Sequence, residues 1–344
     1  MPPNLPADAE GAKAPLPSPA PYYVAEYLPG ERLVLERNRF YRGERPQHVA
    51  RFVADLAADF PLVIDQVASG TFDTLVGQCC ADRTAELAQK YGVNKSQLWV
   101  VPSSGLRVFH LNTSRPLFRK NAKLRQAVNF AVDRKALARE VGFLANTPTD
   151  QYLLPGSPGY RDERIYPLKG PNVEKAQALA RGHTRGRKAV VYTLDSLTDS
   201  AQAQILQQNL RAIGLELEIK QFPNPLFFQK ITTRGEPFDL ARDQWIRPDL
   251  NCLFNGRTIG QPTSCNISHF NSPKYNRLLD RASRLTGEAR DRAFGELDVQ
   301  LSRDAAPATP VAVINSIAFV SARVGVGCVV MSPRGLDLTA VCLK

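Results

Sequence analysis

Residues 188–222, KAVVYTLDSLTDSAQAQILQQNLRAIGLELEIKQF, carry the pattern that decides the fold. KAVVYTL is an apolar run of strand length, the residues from Asp199 to Ile213 place apolar side chains at helical spacing, and Gly214 closes that helix. LELEIKQF then alternates apolar with charged side chains, as a second strand does. A strand-helix-strand of this length predicts a parallel pair with a right-handed crossover. The fold class is therefore α/β.

Upstream, YYVAEYLPGERLVLERN from Tyr22 alternates around Pro29 and Gly30 and predicts a β-hairpin. HVARFVADLAADF reads as a strand, Pro61 to Gly70 as a short helix with Pro at its start and Gly at its end, and FDTLVG as a strand. Together these predict a compact β-α-β unit. A helix over Asp82 to Tyr91 and two strand-like runs, LWVVP and LRVFHLNTS, come next. In Arg119 to Val132 the residues Ala122, Leu124, Ala127, Val128, Ala131 and Val132 fall on one helical face, and Asp133 can cap a further helix beginning at Lys135. Thr147 to Pro171 is rich in Pro, Gly and Tyr and predicts a crossing or a domain boundary. Downstream come helices over Pro273 to Leu285 and Glu288 to Asp304, then a β-rich tail from Thr309.

A chain of 344 residues is too long for one ordinary core, and domain scaling suggests about two lobes. With 43% hydrophobic and 22% charged residues the composition is that of a globular protein. The formal charge of +11, from 44 basic and 33 acidic residues, suits an anionic envelope surface or plain solubility better than nucleic acid. The basic residues are scattered, and the densest cluster, Arg181 to Lys188, lacks interleaved aromatics and reads as a solvated turn. The uncharged stretch Ala305 to Ala322 is broken by Pro307, Thr309, Pro310, Asn315 and Ser316, so a buried strand pair or strand-turn is expected rather than a membrane span. Residues 1–21 lack the basic start and apolar core of a secretory signal, and their Pro and Ala content predicts a disordered leader over residues 1–20.

Six cysteines, at 79, 80, 252, 265, 328 and 342, form no CxxC, and with four scattered histidines they offer no repeated ligand spacing, so neither a metal site nor a cofactor is expected. Cys252 with Cys265 and Cys328 with Cys342 are candidate disulfides in an exported protein, each closing a loop worth about 3 kcal/mol of chain entropy. Six cysteines allow about 15 pairings, so these two remain open at this point. GxSxG, HExxH, P-loop and GxGxxG motifs are all absent, which argues against an enzyme.

Four stretches together resemble one family. They are PYYVAEYLPGERLVLERNRFYRG, RPLFRKNAKLRQAVNFAVDRKAL, FDLARDQWIRPDL and NISHFNSPKYNRLLDRAS. Their order and spacing over residues 21–344 are similar to those of the extracellular solute-binding proteins of ABC importers, family 5, the peptide/nickel type. The resemblance implies a two-lobed periplasmic-binding-protein-like fold of type II, in which two α/β lobes close on a peptide or similar solute and present it to a membrane permease. It implies a monomer with no role for nucleic acid, located in the periplasm or cell envelope. In that family the counterpart of PYYVAEY lies well inside the chain, so the N-terminal part of the first lobe is expected to be missing. Within this frame residues 21–145 are assigned to the first lobe, 146–322 to the second, and 323–344 to a return to the first.

The resemblance also implies where solute sits. Trp245 and Asp249 in WIRPDL match the cleft-lining run, Trp245 offering aromatic wall and Asp249 a buried carboxylate for an ammonium terminus; the bland reading makes them core residue and loop cap. Arg247 could meet a ligand carboxylate or stand in solvent. Asn266 and His269 could hydrogen-bond a solute or brace their own turn. Arg125, Asn129, Asp133 and Arg134 read as structural, with Asp133 a cap and the arginines an exposed or interlobe salt-bridging face. Import is the leading function, with a ligand-sensing domain of a regulator or a non-functional fragment as alternatives.

Overall fold

The structure, a computed structural model, describes residues 18–75, 83–259 and 264–344. The chain forms two compact units, Met1–Val101 with Ser316–Lys344 and Pro102–Asn315. The division therefore falls at 101/102 and 315/316 instead of 145/146 and 322/323. The reason is a single long strand that carries residues 102–111 into the larger unit's sheet.

Eleven strands and ten helices occur among the described residues. In chain order the strands are β1 Tyr22–Leu28, β2 Arg32–Arg37, β3 Arg51–Asp55, β4 Leu98–Leu111, β5 Asn146–Pro148, β6 Lys188–Leu194, β7 Glu216–Phe222, β8 Leu240–Ile246, β9 Ala308–Phe319, β10 Met331–Ser332 and β11 Gly335–Leu336. The helices are α1 Phe60–Ser69, α2 Thr84–Tyr91, α3 Ala122–Ala131, α4 Arg134–Arg139, α5 Val173–Ala180, α6 Leu197–Arg211, α7 Asn224–Thr232, α8 Leu250–Phe254, α9 Pro273–Ser283 and α10 Gly287–Gln300.

The larger unit is built on a six-stranded mixed sheet in the order β5-β9-β4-β8-β6-β7. β6 and β7 pair in parallel from Lys188↔Glu216 to Leu194↔Phe222, with α6 between them, as the sequence pattern requires. The helix begins two residues before the expected Asp199 because the Ser196 hydroxyl accepts from the Asp199 N–H at 3.1 Å and takes the capping position. Gly214 turns the chain at φ 79°, where a side chain would be strained. The two strand-like runs around Pro102 join into the single strand β4, which pairs antiparallel with β8.

Alternate residues of β4 serve two cores. Phe109 and Leu111 pack with α3, α5 and α6, whereas Leu106 and Val108 pack with α9 and α10. Burial on both faces explains why these strands read as near-continuous apolar runs. The stretch 305–322 holds one long strand, β9 Ala308–Phe319, instead of a strand pair or strand-turn, and the Asn315 amide within it donates to the Leu144 carbonyl at 2.8 Å. Among the described residues no helix is long and apolar enough to cross a membrane.

Two expectations for this unit are corrected by buried polar bonding. Thr147–Pro171 is no boundary: Tyr152 and Leu153 donate their N–H groups to Asp298 on α10 at 2.9 and 3.1 Å, which ties the irregular segment into the core. Arg125 and Arg134 do not form an exposed or salt-bridging face; both are buried and donate mainly to main-chain carbonyls such as Ala305 and Pro310. Asp133 does cap α4, accepting from the Ala136 N–H at 2.9 Å.

The smaller unit carries the antiparallel meander β1-β2-β3, with Gly30 at φ 75° in the hairpin turn, and the helices α1 and α2. Among the described residues the expected β-α-β unit does not form there: Thr74 of FDTLVG makes an isolated bridge to Val320, and residues 76–77 lie outside the described residues. Both candidate disulfides are present, Cys252–Cys265 with Cα atoms 5.2 Å apart and Cys328–Cys342 with Cα atoms 5.5 Å apart. Cys79, Cys80 and residues 1–17 of the expected leader also lie outside the described residues.

Candidate functional site

β6 and β8 are parallel, so both deliver the chain to the same end of the larger sheet. There Leu197, 92% exposed, opens α6, and Ile246, 70% exposed, ends β8. Carboxyl ends of parallel strands are where open α/β sheets place ligands, because the turns there leave the sheet free of packed helices.

Trp245, next to Ile246, is half-buried and turned to the opposite face of β8, where it packs against the α9–α10 core. Its indole N–H donates to His110 Nε2 at 3.1 Å. An indole can only donate, so that nitrogen must carry a lone pair, and the ring proton sits on Nδ1 and points to Ser268 Oγ at 3.0 Å. Asp243 Oδ2 stands 3.5 Å from the same Nε2. A fully buried histidine thus locks the aromatic side chain to the NISHF turn.

The other expected site residues divide. Arg247 is exposed, with its backbone at φ 56° and its N–H donating to the Ser104 carbonyl at 2.6 Å. Asp249 is exposed as well, so the buried carboxylate expected there is not found; its Oδ1 accepts from the Cys252 N–H at 3.0 Å and caps α8. The reason is the short turn after Pro248, which starts the helix at once. Asn266 is buried with its amide fully used, donating to the Asn255 and Phe270 carbonyls and accepting from the Phe270 N–H. His269 is buried at φ 46°, and burial, with Arg234 and His110 nearby, holds its imidazole below the usual histidine range. The Cys252–Cys265 disulfide fastens α8 to this turn.

The structure therefore brings Trp245 and the NISHF turn together through His110 and Ser268, neither of which the sequence reading singled out. The only available signal was His110 at an inward position of the apolar run LRVFHL, which resembles an ordinary core position. Among the described residues no three His, Cys, Asp or Glu side chains gather in a way that could hold a metal ion.

Residues 4–251 match the family model described as bacterial extracellular solute-binding proteins, family 5, middle. Heme-binding protein A of Haemophilus influenzae is 26% identical over 338 residues, covering 92% of this chain and 58% of the relative. The periplasmic oligopeptide-binding protein OppA of Escherichia coli is 21% identical over 298 residues, covering 83% of this chain and 53% of the relative. The structure of HbpA2 from Haemophilus parasuis superposes with a TM-score of 0.78 at 20% identity, covering 94% of this chain and 64% of that one. The chain thus spans less than two thirds of the length of these relatives.

Proposed function

The chain belongs to the bacterial extracellular solute-binding proteins of family 5, and from that premise we propose that it binds a peptide or similar small solute without turning it over and delivers it to the membrane permease of an ABC importer. In this reading it acts outside the cytoplasm, as a monomer, with no part for nucleic acid. The observation that carries it is the sheet end where β6 and β8 finish, with Leu197 and Ile246 left exposed and Trp245, on the other face of β8, held by its hydrogen bond to His110. Exposed apolar side chains at a strand end suit the body of a peptide, while the exposed Arg247 and Asp249 of the following loop suit its charged groups.

Calorimetric titration of the whole chain with short peptide mixtures tests the reading. Saturable binding is expected, weakened by about tenfold or more in Trp245→Ala while the unfolding transition stays cooperative. Heat-free titrations across peptide mixtures, with hemin bound instead, would replace the peptide by the solute named for one relative. No binding of either would overturn the reading.

A further inference from the structure

On the opposite face of β8 from Trp245, side chains go from covered to open over four alternate residues. Leu240 is 0% and Arg242 6% exposed, Gln244 is half-buried, and Ile246 is open. The helical cover therefore ends at the level of Gln244. Directly across from Gln244 in the β4–β8 register stands Arg107, and Phe109 faces Arg242 one step deeper on the same side.

The two arginines are not equally satisfied. Arg242 has an ion-pair partner, with Nε 2.8 Å from Asp199 Oδ1 and its N–H directed to Gln202 Oε1 at 3.1 Å. Arg107 makes one hydrogen bond, from Nε to Asn146 Oδ1 at 3.0 Å, and has no carboxylate within ion-pair distance among the described residues. Burial and the like charge of Arg242 push its guanidinium down to about 10. Gln244, its cross-strand neighbour, makes no side-chain hydrogen bond among the described residues. A half-buried cation with free N–H groups beside a free amide, at the edge of an open strand end, is an incomplete site.

We propose that Arg107 and Gln244 form a subsite for a carboxylate of the bound solute, selecting acidic solutes. This rests on the solute-binding reading above. The guanidinium presents a planar fork that matches the two carboxylate oxygens, and the Gln244 amide supplies a further N–H from the facing strand. Partial burial makes such a bond stronger than at an open surface. Ile246, exposed two residues beyond Gln244 on the same face, accommodates apolar parts of the same solute. The carboxylate can belong to an acidic side chain or to a peptide terminus.

Four pentapeptides separate these cases when titrated into the whole chain: Ala-Ala-Glu-Ala-Ala and Ala-Ala-Gln-Ala-Ala, each with a free and an amidated C-terminus. The glutamate peptide, or the free-terminus peptide, should bind about tenfold tighter than its neutral partner, and which pair differs identifies the source of the carboxylate. Arg107→Gln should bring the members of that pair to within about twofold. Because that variant also removes the partly buried bond to Asn146, Gln244→Glu supplies an independent check: it places a carboxylate opposite Arg107 within the fold, and should abolish the preference while leaving the chain at least as stable. Equal binding of all four peptides by the wild type, or a preference that survives Gln244→Glu in a folded protein, overturns the subsite and leaves the solute-binding reading standing. Absence of binding by all four, in a protein that binds other peptides or hemin, overturns the subsite alone; the solute-binding reading falls only if those titrations fail as well.

Discussion

Arg134 and Arg107 are both arginines drawn from water within the larger unit, and burial pushes both guanidinium groups down to about 10, yet they end in opposite conditions. Arg134 is wholly enclosed, and its N–H groups go to the carbonyls of Thr149, Pro310 and Asn129 and to Asn129 Oδ1, at 2.7 to 3.1 Å. It joins α4 to β9 and to the buried crossing after β5. Arg107 has a single partner and one side open. Burial alone therefore does not separate a structural arginine from a binding one; the number of donors left over does.

Substitution should break this comparison if it is wrong. Arg134→Met leaves several buried carbonyls without donors and should destabilise the chain by about 3–5 kcal/mol. Arg107→Met removes one bond at a half-exposed site and should cost only about 1 kcal/mol. Denaturant unfolding of the two variants side by side is the measurement. Equal losses would mean that Arg107 is as deeply built into the structure as Arg134.

The same distinction explains what the sequence disclosed. The parallel pair β6–β7, the hairpin β1–β2 and the cap at Asp133 are local: their signals lie within a few residues, in alternation, helical spacing and a side-chain oxygen before a helix. The place of residues 102–145 was not legible, because it depends on β4 pairing with β8 some 140 residues later, as in Leu106↔Trp245. Arg125 and Arg134 looked like surface residues because a buried arginine satisfied by main-chain carbonyls leaves no partner charge in the sequence. The resemblance pointed to Trp245 and Arg247 as candidates, whereas His110, Ser268, Arg107 and Gln244 gained meaning only when strands and turns met in space.

Asp298 sharpens the comparison from the acidic side. It accepts from Gln151 and from the N–H groups of Tyr152 and Leu153, yet burial still pushes its carboxyl up to about 7. The native state therefore keeps a proton between the usual carboxylate range and about 7 that the unfolded chain gives up. The contribution of this group to stability is fully present at about pH 4 and declines as pH rises to about 7, by about 3–4 kcal/mol. Asp298→Asn cannot titrate, so its stability should change less across that window, falling below the wild type at pH 4.5 and matching or exceeding it at pH 8. Unfolding midpoints at three or four pH values decide the matter. Parallel profiles for wild type and variant would show that Asp298 stays ionised and fully satisfied by its three donors.

Asp249 gives the smallest effect, because it stands between the two conditions. One carboxylate oxygen caps α8 by accepting from Cys252 N–H, and no hydrogen bond among the described residues uses the other. Losing the cap in Asp249→Ala should cost about 1 kcal/mol, at the level usual for such residues. The cost should be no larger because the Cys252–Cys265 disulfide already fixes the start of the helix. Asparagine can cap equally well but carries no charge, so Asp249→Asn should melt like the wild type. If the unused oxygen receives an ammonium group of the solute, both variants should bind peptide more weakly, and more weakly than Arg247→Ala, whose side chain is exposed. Thermal melts and peptide titrations on the three variants separate the two roles: a stability loss confined to the alanine variant together with unchanged affinity in both would make Asp249 a cap and nothing more.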